Sequence, residues 1–172
     1  MGLFGPEKIT LTLEKYNFKP GDIIKGNIKL NLKKPTKGRK MEVSFIGSRK
    51  EQQRVNRGPS HRHGSGVHYG TSRTTTQTRT VKVFDFTQPL GGEKEYQNES
   101  FDFEIKIPSD VIQQTRTQHE GKLDGALGTA VAVGSALMGS RVYPIQWKVK
   151  AQLDIPMKFD VEKTQKIILS EE

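Results

Sequence analysis

Three of the chain's four histidines sit close together, as His61-Arg62-His63 and His68. Alternating imidazoles are a recognised way to chelate zinc or nickel. The surroundings argue against it here. No carboxylate lies between Glu51 and Asp85, and Arg57, Arg62 and Arg73 would repel a cation. The segment therefore reads as basic loop, and no metal is expected. Other chemistry fares no better. Gly-x-Ser-x-Gly is absent, and Gly64-Ser65-Gly66 reads as ordinary flexible spacing. There is no Gly-x-x-x-x-Gly-Lys-Ser/Thr phosphate loop. The glycines between Gly121 and Gly139 follow no strand and lack dinucleotide-binding spacing. Asp154 and Asp160 flank a proline turn, with nothing else to make them an acid/base pair. The chain also has no cysteine, which removes thiol nucleophiles, thiolate metal sites and disulfides and fits a reducing compartment. The expectation is a protein with no catalytic residues and no cofactor.

What remains is charge. The formal net charge is +9, unevenly placed. From Lys19 to Lys40 eight Lys or Arg residues stand against Asp22 alone, and from Ser48 to Thr80 seven stand against Glu51. Such a surface attracts phosphorylated peptides, nucleic acid or anionic headgroups, although a basic strand face is often only a solvated one. The residues singled out for partner binding are Lys25, Lys29, Arg57, Arg62 and Arg73.

The elements that carry these residues are strands. Ile9, Leu11 and Leu13 alternate with Thr10, Thr12 and Glu14, the two-residue period of a half-buried strand. Lys19-Pro20-Gly21-Asp22 has turn chemistry, with proline presetting φ and glycine accepting a positive φ. Ile24, Gly26, Ile28, Leu30 and Leu32 then share one face, and Lys25, Asn27, Lys29 and Asn31 the other. Met41, Val43 and Phe45 form the inward set of a third strand ending near Gly47. Alternation stops there, so residues 49–71 are expected to form a long basic loop. β character resumes from Thr74 to Phe86, and Phe101, Phe103, Ile105 and Ile107 alternate up to Pro108.

Residues 110–140 break the pattern as an insertion. Ser109-Asp110 can cap a short helix toward Gln118, and Ala126 to Met138 is small and apolar. That stretch is expected to pack on the sandwich, dock a partner or touch a membrane surface. Strand returns with Tyr143, Ile145, Trp147, Val149, Ala151 and Leu153, and a last strand runs from about Val161 to Leu169. About seven alternating strands, oily on one face and polar on the other, require two antiparallel sheets stacked face to face. A closed barrel suits the uneven loops less well.

The chain, 172 residues, suits one domain, able to bury about 70% of its unfolded surface. No basic-led apolar leader opens it, no run approaches the ~20 apolar residues that span a bilayer, and Gly2 lacks the Ser or Thr at position 6 that myristoylation wants. A cytoplasmic protein is expected.

Four segments carry a family resemblance. The opening, Ile9 through Lys19-Pro20-Gly21-Asp22 to Ile24-Lys-Gly-Asn-Ile28, resembles the start of the arrestin clan's N-terminal domain. Met41-Glu-Val-Ser-Phe-Ile-Gly47 is similar to that family's apolar strand ending in glycine. Phe101-Asp-Phe-Glu-Ile-Lys-Ile-Pro108 and Tyr143-Pro-Ile-Gln-Trp-Lys-Val-Lys-Ala-Gln-Leu-Asp-Ile-Pro156 resemble two later strands, in the right order over most of the chain. The clan includes arrestins, arrestin-domain adaptors, a retromer cargo subunit and bacterial sporulation-control proteins. The resemblance implies an immunoglobulin-like all-β sandwich in single-domain form, acting as an adaptor or scaffold for a protein partner that is phosphorylated or otherwise anionic. Relatives read phosphorylated tails with lysines near the first strands, where Lys8, Lys15, Lys19 and Lys25 stand here. A nucleic-acid-binding domain is the rival reading, with inward-facing aromatics counting against it. Peripheral membrane binding is the third.

Overall fold

The computed structural model describes residues 8–57, 73–120 and 141–170, with backbone alone for 53–57, 73–74, 116–120 and 141. Among the described residues the strands are β1 (Ile9–Leu13), β2 (Asn17–Phe18), β3 (Ile23–Leu30), β4 (Thr36–Gly38), β5 (Lys40–Arg57), β6 (Arg73–Gly91), β7 (Lys94–Tyr96), β8 (Ser100–Lys106), β9 (Arg141–Val142), β10 (Gln146–Asp154) and β11 (Val161–Leu169), with one helix, α1 (Val111–Glu120), after β8.

Two sheets form the body. The first has the order β1-β3-β8, antiparallel throughout. The second runs β2-β11-β10-β5-β6, with β9 added on β5. β4 and β7 pair as a third, two-stranded sheet, whose Tyr96 is buried in the core. The chain changes sheet between β1, which pairs with β3, and β2, which runs parallel to β11. The turn between β2 and β3 takes the expected form. Gly21 has φ 90°, and the Asp22 N–H donates to the Lys19 carbonyl at 3.0 Å.

Alternation places the core. Ile24, Ile28, Phe103 and Ile105 from the first sheet and Val43, Phe45, Val149 and Ala151 from the second pack into one cluster between the layers. Burying such side chains is the main favourable term in folding, about 1.5–3 kcal/mol for each large one. Two glycines permit close approach. A Cβ on Gly26 would lie 2.7 Å from the Phe103 ring and 2.6 Å from the Thr12 carbonyl oxygen. One on Gly47 would lie 2.6 Å from the Trp147 ring, which stacks on Phe45 with centroids 5.1 Å apart. The all-β two-sheet sandwich expected from the periodicity is the fold observed.

One expectation needs correcting. The 49–71 loop is strand at its start: β5 does not stop near Gly47 but continues to Arg57, and β6 begins at Arg73. The pairing runs without interruption from Ser48↔Lys82 to Arg57↔Arg73. Alternation fails there for a physical reason. Beyond Arg49 no described side chain of the hairpin is buried, so no face selects apolar residues. In the 110–140 insertion, α1 starts where the cap signal lies, and the Gln114 N–H donates to the Asp110 carbonyl at 2.9 Å. Residues 121–140, including the small apolar stretch, lie outside the described residues.

Candidate functional site

The hairpin of β5 and β6 is longer than the sheet that holds it. Contact with β10 ends at Gln146↔Ser48, and β9 covers the same edge of β5 at Glu51 and Gln52. From Arg49↔Val81 to Arg57↔Arg73 the two strands form nine further rungs, a ribbon about 30 Å long at 3.4 Å per residue. Among its described side chains, Lys50 and every residue from Thr75 to Thr80 are exposed, Glu51, Gln52 and Val81 are half-buried and Arg49 is buried. A register shift between Gly47 and Ser48 places an extra residue, Val83, at its neck. Such bulges raise the local twist and re-aim the strand beyond them. β6 is the edge strand of its sheet, and α1 lies against it.

The ribbon concentrates the chain's charge. Residues 49–57 and 73–82 carry Arg49, Lys50, Arg54, Arg57, Arg73, Arg79 and Lys82 against Glu51, a net +6 of the chain's +9. By register, Lys50, Gln52, Arg54 and Asn56 share one face with Thr80, Thr78, Thr76 and Thr74. The other face carries the neck lock. Arg79 donates to Glu51 Oε2 through Nη2 at 2.9 Å and Nε at 3.2 Å, and Arg49 Nε donates to Oε1 at 3.1 Å. Burial pushes the Glu51 carboxyl up, but the hydrogen bonds from Arg79 and Arg49 outweigh it and leave the group below its ordinary range. The ribbon's sole carboxylate is thus spent internally. Lys82 pairs with Asp85, just past the ribbon, while Lys50 makes no ion pair among the described residues.

The five sequence-predicted residues divide. Arg57 and Arg73 are direct cross-strand partners on the last rung. Arg62, with His61, His63 and His68, lies outside the described residues. Lys25 and Lys29 belong to the other sheet, on the outer face of β3. That face is not the basic surface its own strand suggests. Register sets Glu104 opposite Lys25 and Asp102 opposite Asn27. Lys25 Nζ lies 2.8 Å from Glu104, and the Asn27 amide donates to Asp102 at 2.6 Å. Lys29, opposite Ser100, stays exposed. Lys50 and Arg79 were not singled out from the sequence. Their signal was present, in the threonine alternation after Arg73, but needed the pairing register to be read.

The two aspartates flanking Pro156 have structural partners. Asp154 accepts from Arg39 Nη2 at 2.7 Å, and Asp160 accepts from the Gln152 amide at 2.6 Å and the Ile155 N–H at 3.3 Å. Among the described residues no three His, Cys, Asp or Glu side chains gather as a metal site would require. No described helix is long and apolar enough to cross a membrane.

No family model matches the sequence, and no curated protein does. Among solved structures the chain is similar to Spo0M, the sporulation control protein of Bacillus subtilis, at 15% identity and a TM-score of 0.42. The match covers 98% of this chain and 51% of that one, so this chain spans about half its length.

Proposed function

We propose that this chain is a non-catalytic docking domain, a cytoplasmic adaptor or scaffold, that takes a protein partner on the β5–β6 ribbon through a phosphorylated or otherwise anionic stretch of that partner. The observation that carries this reading is the net +6 on an exposed two-stranded ribbon whose carboxylate is already held by two guanidiniums. Guanidinium groups bind phosphate through short, charge-assisted and often bidentate hydrogen bonds. An extended acidic segment lying along the ribbon meets several such groups without needing a pocket. The test is a fluorescence titration with a multiply phosphorylated serine peptide and its unphosphorylated twin. The phosphorylated peptide binds at least tenfold tighter, the difference shrinks as salt rises, and K50E/R54E removes it while the melting temperature holds. Equal affinity for the two peptides counts against the reading.

One observation favours duplex nucleic acid as a second reading. A two-stranded ribbon fits the major groove, and threonine, lysine and arginine side chains all contact phosphates and base edges. A gel shift with duplex DNA at low salt separates the two: retarded DNA with no preference for the phosphopeptide selects nucleic acid.

A further inference from the structure

At the end of the second sheet opposite the ribbon, β10 turns into β11 through Ile155–Asp160. The two most exposed large apolar side chains among the described residues are here, Met157 at 103% and Phe159 at 98% of full exposure. The turn is a built structure. Asp160 holds the Gln152 amide and the Ile155 N–H, and the Lys158 N–H donates back to the Ile155 carbonyl at 3.3 Å. Within it Met157 has φ 59°, the left-handed region that side chains other than glycine and asparagine seldom occupy. Strain and full apolar exposure in one hydrogen-bonded turn gain the fold nothing, and such strain gathers at functional sites.

Beside this tip runs an open groove of about 1000 Å³, walled mainly by apolar surface that includes Leu32, Ile155 and Val161. Lys8, Lys33, Lys34 and Lys158 line it, and among the described residues no acidic side chain does. None of these four makes an ion pair among the described residues, whereas Lys15, Lys25, Lys40, Lys94 and Lys150 each have a carboxylate within 3 Å. Cations with no counter-ion among the described residues thus lie beside two apolar side chains that stand clear of the surface.

We infer that this end is a peripheral membrane contact, in which Met157 and Phe159 enter the headgroup–acyl boundary of an anionic bilayer while the four lysines meet its phosphates. A bilayer matches the arrangement better than a peptide. Met157 and Phe159 border the groove but are almost fully exposed, so they project instead of forming a socket floor, and a broad anionic surface meets them and the four lysines together. Lysine suits the role because its stem lies along apolar surface while its head reaches the headgroups. The ribbon, at the far end of β5, remains free for its own partner.

Co-sedimentation with phosphatidylglycerol-containing vesicles, against pure phosphatidylcholine vesicles, tests this. The protein sediments with the first and not the second. M157S/F159S lowers binding at least tenfold with an unchanged melting temperature, and K33E/K34E lowers it comparably, each cation near such a surface being worth about a factor of five. The absence of cysteine allows a clean second readout. An environment-sensitive fluorophore on Phe159→Cys shifts to the blue on anionic vesicles, and one on Thr80→Cys in the ribbon does not. Undiminished binding by M157S/F159S, or a shift at residue 80 without one at 159, overturns the inference in favour of the ribbon. A shift at 159 with a polyglutamate peptide and none with vesicles overturns it in favour of an acidic peptide.

Discussion

Glu51 and Arg79 stand directly opposite each other on β5 and β6, with Oε2 2.9 Å from Nη2 and 3.2 Å from Nε. The second carboxylate oxygen holds Arg49, whose residue is only 8% exposed. This lock sits where the ribbon leaves the sandwich, so it fixes the direction in which the remaining cations are displayed. Glu51→Gln keeps the shape and removes the charge, leaving a guanidinium at a nearly buried position short of its counter-ion. The expected loss is about 2 kcal/mol in denaturant unfolding, with faster amide exchange from Arg49 to Gln52.

The same carboxylate sets a pH dependence. Its folded pKa is lowered, so its contribution is complete above the ordinary value of 4.5 and fades as pH falls through the lower folded value. The melting temperature of the wild type therefore declines below about pH 4.5 more steeply than that of Glu51→Gln. Parallel acid limbs for the two proteins would contradict the lock.

Gly47 and Gly92 make a matched pair of tests. An alanine methyl at 47 runs into Trp147, which is backed by Phe45 at 5.1 Å and by Phe84 at 5.9 Å and has nowhere to retreat. Gly47→Ala is expected to cost about 2–3 kcal/mol. At Gly92 nothing lies within 4 Å, and alanine there stays within about 0.5 kcal/mol of wild type.

Met157 predicts the reverse sign. Its side chain contributes no packing and its backbone is left-handed. Met157→Gly relieves the strain and is expected to hold or raise stability by up to about 1 kcal/mol. A clear loss would mean that the methionine supports the turn, and would remove the reason to seek a function for it.

The core was legible because burial imposes a period. Ile24, Ile28, Phe103 and Trp147 were placed inside by alternation and are inside. The ribbon was legible only in part: the threonine alternation after Arg73 read as strand, whereas Arg49 to Arg57, polar at nearly every position, carries no such period and read as loop until its pairing with β6 is seen. Lys25 was misleading for a different reason. The carboxylate that neutralises it, Glu104, is far away in sequence and next to it only through the register of β3 with β8. The tip was hidden by its own spacing. The proline turn between Asp154 and Asp160 was read, but two apolar residues two apart do not show which way they face, and the turn held by Asp160 sends both Met157 and Phe159 to solvent.

The central claim is that the ribbon, and not the lysine-bearing face of the first sheet, receives the anionic partner. Mapping backbone amide shifts in a titration with the multiply phosphorylated peptide tests it most directly. The account predicts that the perturbed residues cluster in 49–57 and 73–82, and that Lys50→Glu with Arg54→Glu abolishes them at unchanged stability. Perturbations centred on Lys25, Lys29 and Glu104, with the ribbon silent, would contradict it.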